Sequence, residues 1–255
     1  MGEMIPHCCA VVNLLMTILP ASLKRPLSRV LGLRPPFSDE QSAYRRLAAK
    51  GWRPAGIIDV GAYQGAWTRM VRSVFPDAPV LMIEAQKRKA ARLEALCLEL
   101  GGVSFASAVL GGEAGKEVTF YEMETGSSYF PERSNAPRTA TNYVTQTLDD
   151  VAAAVEGPVF LKIDVQGAEL EVLAGGTRIL ERAEVVQLEV PFVTYNEGAP
   201  SLLEIMQVMN DRDFTPIDVS GFSRPNGIDL VQADFIFVRR NSQLRSNFIR
   251  FEQYG

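Results

Sequence analysis

"GIIDVGAYQGAWTRM", residues 56–70, reads as a strand that runs into a tight turn and then a helix. The apolar pair Ile57-Ile58 meets an acid at Asp59, glycines follow at Gly61 and Gly65, and a helical stretch opens at Ala66. A dinucleotide fold wants G-x-G-x-x-G after its first strand. Here the middle glycine is replaced by Tyr63 or is absent.

The carboxylate at the end of that strand bears on the ligand. A pyrophosphate seeks the bare N–H groups of a helix N-terminus, and Asp59 beside it would repel it. A ligand with an ammonium and a sulfonium would be attracted, and S-adenosylmethionine is such a ligand. The same D-x-G-x-x-x-G also serves as a plain strand–helix turn in α/β proteins. A second strand, "VLMIEAQ", ends at Glu84, 23 positions after Gly61. Rossmann-like folds set an acid about 20 residues beyond the glycine loop to hold ribose hydroxyls. NAD and S-adenosylmethionine share that ribose, so Glu84 does not separate them.

Outward from these two strands the chain alternates. Strands are expected at 56–60, 80–84, 103–108, 159–164, 184–189, 214–218 and 234–238, and helices near 66–74, 87–100, 168–180 and 201–210. Such alternation implies a mostly parallel sheet with helices on both faces. "SDEQSAYRRLAAKG" reads as a capped helix that starts after Ser38 and stops at Gly51. "KEVTFYEM" reads as a further strand, whereas "ETGSSYFPERSNAPRTATNYVTQTLDD" is polar and turn-rich, in the manner of a binding loop. The end of the chain offers two strands joined by a loop, so the last strand is expected to run antiparallel. The expected organisation is an apolar and basic extension with linker over 1–37, one α/β domain over 38–242 and a tail over 243–255.

Composition narrows the function classes. The 255 residues carry a net charge of −4 and no basic patch, which points away from nucleic acid. The three cysteines form neither a zinc spacing nor a disulfide framework, which fits a reducing compartment and a cytoplasmic location. The only histidine is His7, so triad chemistry would hang on one residue near the N-terminus. "CAVVNLLMTILP" is too short to span a bilayer as a helix, and no Lys or Arg precedes it. It reads as a leading helix on the domain, or as a peripheral membrane contact through residues 1–33.

A third stretch, "FLKIDVQGAELEVLAGG" at 160–176, is a buried strand followed by Asp164, a turn at Gly167 and Glu169 opening a helix. Ligands of open parallel sheets sit beyond the carboxyl ends of the strands. Asp164, Glu169 and Glu189 therefore share a rim with Asp59 and Glu84. They can serve as a general base, a divalent-metal site or a cradle for a cation. Asp164 can equally form an Asx turn, and Glu169 can complement a helix dipole. Lys162 alternates to the opposite face from its neighbours and is expected to pack there or to pair.

"IIDVGAYQGAWT", "MIEAQ", "TLDD" and "FLKIDVQGAELEVLAGG" together resemble the FkbM family of S-adenosylmethionine-dependent methyltransferases, over about residues 55–240. The closing "VQADFIFVRR" is similar to that family's last strand. The resemblance implies a Rossmann-like class I methyltransferase fold, seven-stranded with an antiparallel last strand. It also implies O-methylation of a hydroxyl on a sugar, glycan or secondary metabolite. Matched residue by residue, Asp59, Gly61 and Gly65 fall on the methyl-donor loop and Glu84 on the ribose acid, with Ala62, Tyr63 and Ala85 beside them as candidate cofactor contacts; Tyr63 departs from the small or amide residue usual in the family. Ser107 and Ala108 fall beside the adenine, without the usual acid or amide, and Gly126-Ser127-Ser128 falls on the active-site wall. Asp164 is expected at the reacting centre, with Glu169 and Glu189 orienting the acceptor or a metal. Two other readings stay open: an NAD-dependent oxidoreductase, and a non-catalytic nucleoside-binding module. Acceptor identity, metal dependence and oligomeric state are not fixed by the sequence.

Overall fold

The computed structural model describes residues 39–124, 126–131, 137–193 and 196–246. The extension over 1–37 and most of the C-terminal tail lie outside the described residues. The main sheet is built from β1 (Gly56–Val60), β2 (Val80–Glu84), β3 (Val103–Ser107), β7 (Val159–Ile163), β8 (Ala183–Pro191), β9 (Phe214–Ser223) and β10 (Gln232–Arg239). Their spatial order is β3-β2-β1-β7-β8-β10-β9. All contacts from β3 to β8 are parallel, and β10 runs antiparallel to both β8 and β9. This is the seven-stranded class I methyltransferase arrangement. β1 and β7 are buried at every position, as central parallel strands with helices on both faces must be.

One face is covered by α1 (Asp39–Ala49), α2 (Ala66–Arg72) and α3 (Ala90–Leu100). Its centre is Phe160, met edge-on by Tyr44, Trp52, Trp67 and Phe75 at centroid distances of 5.2–6.4 Å. The other face carries Ile58, Val60, Leu161, Ile163, Val186 and Leu188 beneath α4 (Leu148–Val151), α5 (Glu169–Ala174), α6 (Thr177–Arg182) and α7 (Leu202–Asp211).

The expected single helix over 168–180 is two helices. Gly175 lies so close to the carbonyl of Gly111 that a Cβ there would stand 2.2 Å from its oxygen. The Asp149 carboxylate then accepts the N–H groups of Arg178 and Ile179, both at 2.9 Å, and restarts the chain as α6. The polar middle tract also holds more structure than expected. β6 (Thr139–Gln146) pairs antiparallel with β5 (Glu117–Glu122) and parallel with β4 (Val109–Leu110), forming a small second sheet over the rim.

Candidate active site

The parallel strands bring Val60, Glu84 and Ile163 to one rim, where a cleft of about 210 Å³ opens. Gly61, Tyr63, Glu84, Ala85, Ala108 and Asp164 from the sequence reading line it. Gly61 adopts φ 77°, and a Cβ there would stand 1.9 Å from the carbonyl oxygen of Asp164. The donor loop and the end of β7 therefore approach backbone to backbone, which only glycine permits. Glu84 sits beneath with both oxygens engaged: Oε2 accepts the Tyr63 N–H and Oε1 the Gln86 N–H, each at 2.8 Å. Burial raises its pKa above the ordinary value, and these two N–H groups oppose the rise. A carboxylate so fixed keeps lone pairs for a vicinal diol.

Tyr63 takes a left-handed conformation, φ 50°, that is uncommon outside glycine, Asn and Asp. Its hydroxyl donates to Glu124 at 2.7 Å, and Lys89 lies 4.1 Å from its ring centroid. Tyr63 thus ties the donor loop to the wall beyond β5. Gly126, Ser127 and Ser128 do line the cleft, with the Ser127 hydroxyl closing a turn on the N–H and carbonyl of Met123. Tyr129 follows them, its buried hydroxyl without a hydrogen-bond partner.

Four residues that the sequence assigns to the cofactor do not reach the cleft. Asp59 is fully buried on the α2 face. It accepts the Thr68 hydroxyl at 2.7 Å, and Lys162 Nζ lies 3.2 Å from its other oxygen. The register Asp59↔Lys162 across the β1–β7 seam forces this pairing. Gly65 packs instead under Leu96, which a Cβ would approach to 2.2 Å. Ala62 is buried in the core of that face, and Ser107 ends β3 outside the lining. Lys162, expected to pack or to pair, does pair: its Nζ also reaches Asp164 at 3.4 Å and donates to the Gly61 carbonyl at 3.2 Å. Burial would lower its pKa, but Asp59 and Asp164 outweigh burial and hold it above its ordinary value.

The other rim acids are divided by Gln166. This residue, at φ 56°, donates through Nε2 to Asp164 at 2.9 Å and to Glu189 at 2.6 Å. Glu189 also accepts from Gln232 and lines a separate small hollow with Glu169 and Asn196. Burial, then Asp164 and Glu169, push its pKa well above the usual carboxylate range. Glu169 turns inward: Oε1 accepts the N–H groups of Val165 and Gly167, both at 3.1 Å, and buried Oε2 has no partner. Burial pushes its carboxyl up to about 7. The three acids therefore do not converge on one point. Among the described residues no three His, Cys, Asp or Glu side chains are grouped to hold a metal. Sequence reasoning passed over Gln166, Gln86 and Tyr129. Gln166 stood within the quoted D-V-Q-G, but its bridging role depends on β8.

Residues 59–216 match the Methyltransferase FkbM domain. The chain belongs to the FkbM methyltransferase family. It is thus an S-adenosylmethionine-dependent methyltransferase, and the cradle at Gly61 with the fixed carboxylate of Glu84 fits that cofactor. Similar folds occur in a precorrin-6y C5,15-methyltransferase from Geobacter metallireducens GS-15 (10% identity, 78% of this chain, 88% of that chain, TM-score 0.43). Fibrillarin from Aeropyrum pernix with natively bound S-adenosyl-L-methionine is another (13%, 78% and 76%, 0.47). A third is WbdD, at 14% identity over 83% of this chain and 41% of that one, TM-score 0.48. No curated protein sequence matches the chain. Among the described residues no helix is long and apolar enough to cross a membrane.

Proposed function

We propose that this FkbM protein is an O-methyltransferase acting in the cytoplasm on a hydroxyl of a sugar, glycan or secondary metabolite. The observation that carries this reading is Asp164. Its carboxylate lies in the cleft, one-third exposed (33%), oriented on one oxygen by Gln166 and on the other by Lys162. When bound, S-adenosylmethionine supplies an electrophilic methyl group whose bond to sulfur breaks as a bond to the acceptor oxygen forms. Glu84 would hold the ribose diol, and the Gly61–Tyr63 backbone would take the amino-acid end. Asp164 accepts the proton that leaves the acceptor hydroxyl. Positioning of this kind lowers the barrier by holding the reacting atoms in near-attack geometry, and proton removal contributes about 10²–10⁴-fold more. The acceptor side presents Asp164 and Gln166, groups suited to a polyhydroxylated acceptor.

Calorimetric titration with S-adenosylhomocysteine tests the donor site, and absence of heat from folded protein would sink the reading. For the base, Asp164→Asn is expected to lower methyl transfer about 10²-fold or more, followed as S-adenosylhomocysteine formed with glycoside acceptors. Undiminished turnover in that variant refutes the assignment.

A further inference from the structure

We propose that Lys162 is the positioning residue of this site: it neutralises Asp59 inside the sheet and fastens the donor loop and Asp164 to one ammonium. Asp59 is then the buried counter-charge of Lys162 and does not itself meet the ligand. The proposal rests on the methyltransferase reading and concerns how its cofactor's amino-acid end is placed.

The geometry points one way. Asp59 has 0% exposure and Lys162 5%, so neither reaches solvent or cleft freely. An ammonium has three donors and no acceptor. Here the neighbours of Nζ are Asp59 Oδ1 at 3.2 Å, the Gly61 carbonyl at 3.2 Å and Asp164 Oδ2 at 3.4 Å. Two of those three belong to residues that line the cleft, one from the β1 loop and one from the end of β7. Trp67, 5.8 Å from Nζ, closes the remaining side. The two backbones are joined directly, the Asp164 N–H donating to the Val60 carbonyl at 3.1 Å; Lys162 adds the side-chain link, from the Gly61 carbonyl to the Asp164 carboxylate. At the nucleoside end of the cleft Glu84 is held by the Tyr63 and Gln86 N–H groups, and it feels Lys162 and Asp59 only as opposing charges.

That separation yields a test with two probes. S-adenosylhomocysteine carries the nucleoside and the amino-acid end; 5′-methylthioadenosine carries the nucleoside alone. Lys162→Met by itself would strand a buried carboxylate, so it is paired with Asp59→Asn, and Asp59→Asn is also made alone. Affinities are measured calorimetrically on the full chain, with folding checked by circular dichroism.

The expected result has three parts. The double variant binds S-adenosylhomocysteine about tenfold or more weakly, as loss of a charged hydrogen-bonding partner implies. It binds 5′-methylthioadenosine within about threefold of the parent. Asp59→Asn alone, which keeps Lys162 on Gly61 and Asp164, stays within about threefold for both probes. Equal loss of both probes in the double variant would mean a general structural role and overturns the proposal. So does parental affinity for both, and so does Asp59→Asn losing S-adenosylhomocysteine as severely as the double variant. If the double variant does not fold, Asp59→Asn with Lys162→Gln, whose shorter side chain does not span Gly61 and Asp164, takes its place: the same selective loss of S-adenosylhomocysteine is expected, and parental affinity for both probes overturns the proposal. A parent protein that binds neither probe refutes the methyltransferase reading instead.

Discussion

Replacing Glu169 by glutamine should change how stability depends on pH. Glu169 is 1% exposed, and its carboxyl titrates near 7 in the fold against 4.5 ordinarily. Burial is the main cause, opposed by the N–H groups it accepts. The folded state therefore holds this proton more tightly than the unfolded state. The associated stability is fully present below about pH 4.5 and is lost as pH rises through 7. At about 1.4 kcal/mol for each pH unit between the two values, the loss amounts to about 3 kcal/mol by pH 8. Glutamine has no proton to lose. Its amide oxygen can go on accepting from Val165 and Gly167, while its NH₂ takes the place of the unpartnered Oε2. Asn196 Oδ1, also buried without a partner, lines the same hollow and can accept from it. Urea unfolding at several pH values between about 5 and 8 gives the difference between variant and parent. That difference should move in favour of Glu169→Gln by about 2.5 kcal/mol across this window as pH rises. Asp234, pushed up to about 8 chiefly by burial and Glu40, titrates in both proteins and largely drops out of the difference. Parallel curves for the two proteins would refute the burial argument.

Gly61→Ala must part the donor loop from β7, because its Cβ would stand 1.9 Å from the Asp164 carbonyl oxygen. A destabilisation of about 2–4 kcal/mol is expected, read by thermal unfolding, against about 1 kcal/mol for Gly227→Ala, which has an open surround and pays only for its conformation. Ser201→Ala removes the capping box of α7, in which the Ser201 hydroxyl accepts the Glu204 N–H and Glu204 accepts the Ser201 N–H. It should cost about 1 kcal/mol and leave S-adenosylhomocysteine affinity unchanged, since α7 does not border the cleft.

What the sequence disclosed and what it hid follow from the range of the forces involved. β1 and β2 begin and end where expected, because a short apolar run that stops at a turn or an acid is a local signal. The rim followed from topology alone: parallel strands put Glu84 and Asp164 at the same end. The break at Gly175 was hidden because it depends on Gly111, which belongs to a distant segment. β6 was hidden because most of its positions are exposed or half-buried, so polar residues alternate without an apolar face to announce the strand. The Gly126-Ser127-Ser128 wall was legible as a motif, but the link from Glu124 to Tyr63 was not.

Asp59 shows most clearly how a local reading misleads. An acid at the end of a first strand invites a ligand, and electrostatics favours a cationic one. Its neighbour in register, however, is Lys162, and a buried pair satisfies that attraction inside the protein. Such a pair adds little stability over a packed apolar pair, because desolvation offsets the Coulomb gain. Two apolar side chains at 59 and 162 would hold the β1–β7 seam at least as well. They would offer no N–H to the Gly61 carbonyl and no positive charge to Asp164. Across the same face the next residue in register is Gln187, bonded to Tyr44 and Glu40 of α1, so the polar row continues away from the cleft and anchors α1 on the sheet. The row therefore does two separate things: at its Gln187 end it docks a helix, and at its Lys162 end it places one ammonium between the Gly61 carbonyl and the Asp164 carboxylate.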